Sequence, residues 1–135
     1  MTDRELCALS IKAMQNSYSP YSSCKVGAAL LAKSGKVYTG CNIENASFTP
    51  TVCAERTAFF KAISEGEKEF EKIAVVGGKG GVIVGAFSPC GVCRQVMSEF
   101  CESDFEILLV TGEEGFEKVK LSDLLPYGFK KENVK

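Results

Sequence analysis

The stretch "CAERTAFFKAISEGEKEFEKIAVVGG", residues 53–78, joins a helix pattern to a buried-strand pattern. In its first half apolar residues recur at the spacing of one helix face, which predicts a helix over about residues 53–65. These apolar residues are Ala58, Phe59, Ala62 and Ile63. The segment "KIAVVGG", residues 72–78, is short, apolar and β-branched, which predicts a buried strand. Because a helix and a buried strand follow one another here, the stretch favours an α/β fold.

The residues before this stretch predict one helix and one β-hairpin. Residues 3–17 carry an apolar stripe and precede Pro20, which favours a helix that stops before the proline. The stripe consists of Leu6, Leu9, Ala13 and Met14. Residues 26–44 contain two strand patterns around the turn signal at Ser34 and Gly35, which predicts an antiparallel hairpin.

The residues after this stretch continue the alternation. The glycine-rich "GGKGG", residues 77–81, fits no phosphate-binding or dinucleotide-binding spacing, so it is interpreted as a loop. Residues 90–101 predict a helix, because Val92, Val96 and Phe100 recur every four residues on one face. Three further predictions are a buried strand in "FEILLVT" (105–111), an edge strand in "FEKVKL" (116–121) and a short helix in "SDLLPYGF" (122–129) that ends near Pro126.

The predicted elements define one architecture. Their alternation predicts a three-layer α/β/α sandwich, with one mixed β-sheet of about five strands between helices. We expect a single domain over residues 1–135, since a chain of this length buries about two-thirds of the surface that its unfolded form exposes.

The charge balance argues against nucleic acid as a partner. Sixteen Lys and Arg residues face seventeen Asp and Glu residues, a net charge of -1 that gives no basic field to gather phosphates. The segment "MTDRELCALS" begins with charges, and no apolar run approaches the ~20 residues that span a bilayer. We therefore expect a soluble, cytoplasmic protein with no membrane partner.

The chain contains seven cysteines and no histidine. An odd number of cysteines without a secretory signal favours reduced thiols over a disulfide scaffold. The absence of histidine excludes Ser-His-Asp and Cys-His nucleophilic sites, and every histidine-based zinc protease motif. Any metal chemistry must therefore use thiolates and carboxylates.

Three of the cysteines stand at predicted helix starts. Cys90 and Cys93 are three residues apart, a spacing that puts Cβ atoms about 5 to 6 Å apart on one helix face. Two sulfurs on one tetrahedral zinc lie about 3.8 Å apart, so this pair can chelate an ion. Helix amino termini also favour the deprotonated thiol. Cys53, at the start of the other helix, is a candidate third ligand.

The number of ligands distinguishes two kinds of site. A catalytic zinc keeps its fourth position open, whereas a structural zinc is closed by four protein groups, and here the fourth would be Cys41 or Cys101. Glu55, in the first turn after Cys53, can lean toward the same spot and act as a general base. Arg56 and the helix dipoles can offset the charge of three thiolates.

Each feature also has an alternative interpretation. A lone pair such as Cys90 and Cys93 is often a redox pair, and Cys53 by itself is often a small buried hydrophobe. Glu55 and Arg56 by themselves are typical of a solvated helix face. Taken together the features favour the metal site, because the redox interpretation leaves Cys53 and Glu55 unexplained.

Several motifs carry a family resemblance. The segments "CAER" and "SPCGVCRQVMSEF", with 36 residues between Cys53 and Cys90, resemble the zinc-dependent nucleoside deaminases. The similarity extends through "GAALL", "GCNIENASF" and "LLPYGF", and it is strongest to the small homotetrameric cytidine deaminases. The blasticidin deaminases share the three-cysteine site and stay an alternative, as does a non-catalytic zinc or redox thiol protein.

The resemblance implies a reaction, a cofactor and a place in pyrimidine salvage. Zinc is bound by Cys53, Cys90 and Cys93, and Glu55 deprotonates a water molecule that attacks C4 of cytidine or deoxycytidine. Glu55 then carries protons to N3 and to the departing amine, so that ammonia and uridine or deoxyuridine are released.

The resemblance also implies substrate contacts and an assembly. Asn42 and Glu44 match positions that bind the ribose 3'-hydroxyl, and the Ala54 backbone N–H matches one that holds the base. Phe129 matches an aromatic that reaches into a neighbouring subunit's site, which implies a homotetramer with shared sites. Relatives commonly carry an aromatic that packs against the base where this chain has Cys24, so substrate preference is the open point.

Overall fold

One five-stranded sheet organises the protein. The structure is a computed structural model that describes residues 1–135. Its helices are α1 (Asp3–Met14), α2 (Ala54–Ser64), α3 (Gly91–Phe100) and α4 (Leu121–Leu124), with a 3-10 turn at Lys131–Asn133. Its strands are β1 (Cys24–Ala32), β2 (Val37–Cys41), β3 (Phe70–Lys79), β4 (Glu106–Val110) and β5 (Phe116–Lys120).

The strands lie in the order β2-β1-β3-β4-β5. Only β3 and β4 are parallel, and α3 makes the crossover between them; the other neighbours are antiparallel. The sheet is therefore mixed. The predicted hairpin, the edge position of β5 and the number of strands are confirmed.

Helices cover both faces of the sheet. Successive side chains of a strand point to opposite faces, so β1 contributes Ala28 and Leu30 to one core and Ala29 and Leu31 to the other. The larger core contains Phe59 of α2, and its other members come mainly from α2 and the strands. The smaller core is covered by α1. The three-layer α/β/α prediction is confirmed.

Two sequence-based interpretations need correction. The predicted strand (72–78) and the predicted "GGKGG" loop (77–81) overlap at Gly77 and Gly78. Both glycines belong to β3 and pair with Val26 and Lys25 of β1, so the loop is shorter than predicted. Glycine is required at both positions because residues of the following segment lie close to the strand. A Cβ at Gly77 would lie 2.7 Å from the Phe87 ring, and one at Gly78 would lie 1.9 Å from the carbonyl oxygen of Val82.

The second correction concerns the face of α3. The stripe that predicted this helix is largely solvent-exposed, with Val92 at 57% and Phe100 at 37% exposure. The buried face is formed by Cys93 and Met97, one helical turn apart. The helix is therefore where the periodicity put it, but its inward face carries a thiol and a thioether.

None of the helices combines the length and the apolar character needed to cross a bilayer.

Candidate metal centre and active site

Two helices begin with a cysteine in the N-cap position. Cys53 precedes α2 and Cys90 precedes α3, both with extended backbone angles. Neither side chain makes a capping hydrogen bond to its own helix. The unpaired N–H groups and positive dipole ends of both helices therefore point toward the thiols, and both favour negative charge there.

The two helix starts bring three sulfurs together. Cys90 Sγ lies 3.6 Å from Cys53 Sγ and 3.6 Å from Cys93 Sγ. All three sulfurs lie within 4.8 Å of one another. Sulfurs on one tetrahedral zinc lie about 3.8 Å apart, so the spacing and the donor type fit zinc.

The fourth-ligand candidates stand apart from this cluster. Cys101 is the C-cap of α3, at the opposite end of that helix from Cys90, which puts it about 15 Å away along the axis. Cys41 ends β2, and neither residue belongs to the group of sulfurs that can share an ion. The cluster is a three-thiol site, the kind that leaves one zinc position open.

A buried carboxyl accompanies the thiols. Glu55 is 3% exposed in the first turn of α2, and its Oε1 has no hydrogen-bond partner. Burial raises the pKa of Glu55 to about 7, and the negative charge of Cys53 acts in the same direction. An unpaired buried oxygen is costly in a purely structural position, so this oxygen is available to a ligand of the site. The proton-accepting role of Glu55 stays a prediction.

Arg56 contributes the compensating positive charge. Its Nη2 donates to Cys53 Sγ at 3.5 Å, while its buried Nε has no partner. A hydrogen bond from the Cys93 thiol, together with the Arg56 guanidinium, lowers the pKa of Cys53 to about 5. The pKa of Cys93 is raised, because its thiol hydrogen-bonds to Cys53 and is buried. The three groups therefore hold negative charge at Cys53.

Two cysteines outside the cluster behave as core residues. Burial raises the pKa of Cys7 to about 11 and that of Cys101 to about 12. These thiols stay protonated at neutral pH. Their positions separate them from the metal-binding group, because neither belongs to the three sulfurs that can share an ion.

Asn42 and Glu44 lie next to the helix start that carries Cys53. Ile43, between them, exchanges two backbone hydrogen bonds of 3.0 Å with Val52, the residue before Cys53. This bridge fixes the segment that follows β2 against the beginning of α2. The predicted ribose-binding residues are thereby neighbours of the thiol cluster along two short chain segments.

Both side chains already have protein partners. Asn42 Nδ2 donates to the Cys24 carbonyl at 2.8 Å, and its Oδ1 accepts from the Val26 N–H and from Ser17 Oγ. Glu44 accepts from the backbone N–H of Tyr21 and Ser22 and from the Ser22 hydroxyl. These bonds hold the segment that contains Cys24, a role that sequence reasoning missed; the ribose-binding role stays a prediction.

The remaining predicted residues occupy different positions. Ala54 is fully buried at the first position of α2, where a backbone N–H has no partner within the helix. Cys24 is half-buried at the start of β1. Phe129 is 60% exposed in the segment after α4, and only its carbonyl is bonded, to Gln95 and Ser98.

The fold and this cluster define an α/β protein with a three-thiolate metal site and a buried carboxyl beside it. The family model described as "Cytidine and deoxycytidylate deaminase zinc-binding region" matches residues 1–108. The chain belongs to this family, as the resemblance of its motifs implied.

Similar proteins agree with this assignment. A cytidine deaminase from Sporosarcina psychrophila is 46% identical over 134 residues, covering 99% of this chain and 96% of that protein. The crystal structure of a cytidine deaminase from Burkholderia pseudomallei superposes with a TM-score of 0.87 at 44% identity, covering 96% of this chain and 100% of that one. A blasticidin-S deaminase from Bacillus cereus is 31% identical over 105 residues, 75% of this chain and 74% of that protein.

Proposed function

We propose that this protein is a zinc-dependent hydrolase that converts cytidine and deoxycytidine to uridine and deoxyuridine with release of ammonia. One observation carries the proposal: the unpaired, buried Glu55 Oε1 stands beside three thiols with the spacing of zinc ligands. The first two similar proteins described above, both cytidine deaminases, support the same reaction.

In this mechanism Cys53, Cys90 and Cys93 would hold zinc, which would supply Lewis-acid chemistry and make a water molecule more acidic. Glu55 takes one proton from this water, and its raised pKa suits a group that accepts and returns protons near neutral pH. The water oxygen adds to C4, and the electron pair of the C4=N3 double bond moves to N3. The C4–N4 bond breaks afterwards, as the C4=O bond forms. The two protons of the water end on N3 and on the leaving amine, which departs as ammonia.

The substrate contacts follow the predicted positions. The Ala54 N–H would hold the base, because it is an unpaired donor at the helix start between Cys53 and Glu55. Asn42 and Glu44 would bind the ribose hydroxyl, which requires part of their present bonding to Ser22 and the Cys24 carbonyl to be shared or replaced.

The proposal includes an assembly and a setting. Residues 1–135 act as one domain, and four chains form a homotetramer in which Phe129 completes a neighbour's site. Exposed apolar side chains on α2, α3 and the segment after α4 support this assembly: Phe60, Val92, Phe100 and Phe129. The setting we propose is pyrimidine salvage in the cytoplasm.

The test is ammonia release by the purified, metal-analysed protein with cytidine, deoxycytidine, blasticidin S and adenosine. We expect one zinc per chain, and ammonia from cytidine and deoxycytidine but not from adenosine. Ammonia from blasticidin S alone would instead support an antibiotic deaminase. Zinc with no ammonia from any compound, or a reversible disulfide between Cys90 and Cys93, would support a non-catalytic thiol protein.

A further inference from the structure

The side chain of Arg94 braces the chain that enters Cys90. Its Nε donates to the Pro89 carbonyl at 2.7 Å, and its Nη2 donates to Ser88 Oγ at 2.8 Å. The third nitrogen, Nη1, donates to the Leu124 carbonyl at 2.5 Å, in the segment that ends α4. One guanidinium thus connects α3, the loop before α3 and the C-terminal segment.

The bond to the Pro89 carbonyl bears directly on Cys90. That carbonyl belongs to the rigid peptide plane that also contains the nitrogen and Cα of Cys90. Pro89 is fully buried and its ring fixes its own φ angle, so the plane has little freedom on its other side. Fixing the carbonyl therefore fixes the backbone from which the Cys90 thiol projects.

This restraint matters because Cys90 has few others. Its side chain is exposed and makes no capping hydrogen bond. The only polar partners of its Sγ are the sulfurs of Cys53 and Cys93. Cys93, by contrast, is buried within α3 and is held by the helix itself. The position of the Cys90 sulfur thus depends on the loop that Arg94 holds.

The same helix holds the C-terminal segment at a second point. Gln95 Nε2 and Ser98 Oγ both donate to the Phe129 carbonyl, at 2.9 and 3.1 Å. Neither of these side chains hydrogen-bonds to the loop before Cys90. Anchoring of the C-terminal segment can therefore be separated experimentally from bracing of the metal ligand.

We propose that Arg94 is a positioning residue for the zinc ligand Cys90, acting through the Pro89–Cys90 peptide plane and tying that ligand to the C-terminal segment. The inference rests on the proposed zinc site. Arg94 is not a ligand and does not touch substrate; its effect is on how well three thiolates share one ion.

The experiment measures zinc affinity, by competition with a chromophoric chelator, and the absorption spectrum of the cobalt(II)-substituted protein. Arg94→Met should weaken zinc binding by about 10- to 100-fold, the usual range for groups that orient metal ligands. It should also change the thiolate-to-cobalt absorption bands. Arg94→Lys should restore only part of the affinity, because an ammonium lacks the fork that spans three acceptors.

Two controls isolate the mechanism. Arg4→Met makes the same substitution at an exposed arginine that pairs only with Glu114, and it should leave both readouts unchanged. A double variant, Gln95→Ala with Ser98→Ala, removes only the anchor at Phe129 and keeps the Arg94 bonds to Pro89 and Leu124, so its zinc affinity should also match the wild type.

An Arg94→Met protein with wild-type zinc affinity and cobalt spectrum would overturn the proposal, even if its melting temperature fell. If Arg94→Met does not fold, Arg94→Lys decides, since unchanged affinity there would equally refute the role. A wild-type protein that binds zinc but releases no ammonia would remove the proposed function, while the affinity comparison would still test Arg94.

Discussion

Arg56 Nη2 donates a hydrogen bond to Cys53 Sγ, from one turn further along the same helix. The pairing puts a guanidinium against a thiolate that has two other sulfurs beside it. Three thiolates on a divalent ion carry a net charge of -1, which weakens the ion as a Lewis acid. We expect the Arg56 charge to offset that excess at the thiolate that it contacts.

Arg56→Gln should therefore loosen the zinc site. We expect about a 10- to 100-fold loss in zinc retention or turnover, because the variant keeps a donor near Cys53 but loses the charge. Chelator competition and ammonia release measure the two effects. Arg4→Gln, at an exposed surface arginine, serves as the control. Equal zinc retention and activity in both variants would show that the zinc site does not need the Arg56 charge.

Glu55→Gln should keep the fold and the zinc while removing most turnover. The amide has the shape of the carboxyl but cannot take a proton, and general acid-base catalysis contributes roughly 100- to 10,000-fold. Steady-state ammonia release, metal content and melting temperature should be measured on one preparation. The matched control is Glu113→Gln at an exposed turn. Near wild-type turnover in the Glu55 variant would refute its role as the proton carrier.

A charge cluster joins the start of α1 to the sheet. Asp3 accepts from Lys72 at 2.8 Å and from Lys118 at 2.9 Å, and Lys72 also lies 3.4 Å from Glu106. Hydrogen bonds from Lys72 and then Lys118 lower the pKa of Asp3 below its usual 3.8. The hydrogen bond to Asp3 raises the pKa of Lys72 above its usual 10.5.

Asp3→Asn should lower the melting temperature at neutral pH by about 3 to 5 °C, for a cluster worth about 1 kcal/mol. The pH dependence follows from the two pKa shifts. The lowered pKa of Asp3 stabilises the folded state at pH values above 3.8, the usual pKa of the carboxyl. The raised pKa of Lys72 stabilises the folded state at pH values below 10.5, the usual pKa of the amine. The difference between wild type and variant should therefore shrink as the pH falls below about 3.8 or rises above 10.5. A difference that is independent of pH would contradict the charge-based account, and Glu114→Gln provides an exposed control.

Phe129 should act in trans within a homotetramer. Light scattering should give four times the chain mass, and Phe129→Ala should lower turnover without removing zinc. Mixing chains that carry Glu55→Gln with chains that carry Phe129→Ala should restore activity, because some shared sites then contain both native residues. No gain above the sum of the separate variants, or an active monomer, would show that each site is complete within one chain.

Cys24→Phe should lower the KM for cytidine. Stacking of an aromatic on a base is worth about 1 to 3 kcal/mol, which corresponds to roughly 5- to 150-fold. Zinc content should not change, and tolerance of bulky analogues should narrow. Cys24→Leu provides a bulky side chain without an aromatic face. A lower melting temperature with unchanged KM would mean that Cys24 is a small core residue which phenylalanine overpacks.

Much of the fold was predictable because the residues that become buried recur in the sequence at the period of a helix or a strand. The apolar run "KIAVVGG" and the hairpin around Ser34 and Gly35 led directly to β3 and to the antiparallel pairing of β1 with β2. The end of β3 was not predictable in the same way. Gly77 and Gly78 fall in both the strand prediction and the loop prediction, and only the close approach of Phe87 and Val82 explains why glycines stand inside the strand.

The candidate site also has a part that the sequence predicts and a part that it does not. The spacing of Cys90 and Cys93 fixes that pair locally, since both lie at one helix start. The 3.6 Å approach of Cys53 to Cys90 depends on how two helices pack, which no local pattern reports. Asn42 shows the limit most clearly, because sequence reveals a polar residue at a strand end but not that the Cys24 carbonyl and the Val26 N–H take its amide.

The end of β3 and the turn that follows it tolerate different kinds of sequence change. A Cβ at Gly77 or Gly78 would collide with neighbouring atoms. A Cβ at Gly80 or Gly85 would meet no other atom within 4 Å, although the positive φ angles there still favour glycine, and Val84 is 88% exposed. Larger residues are therefore excluded at Gly77 and Gly78, while insertions and deletions are tolerated at the tip between residues 80 and 85. Related chains should differ here by gaining or losing residues rather than by exchanging the two glycines. For an experimenter, Val84 at this tip is a place to attach a fluorophore without entering either core, whereas Ile83 packs against the smaller one.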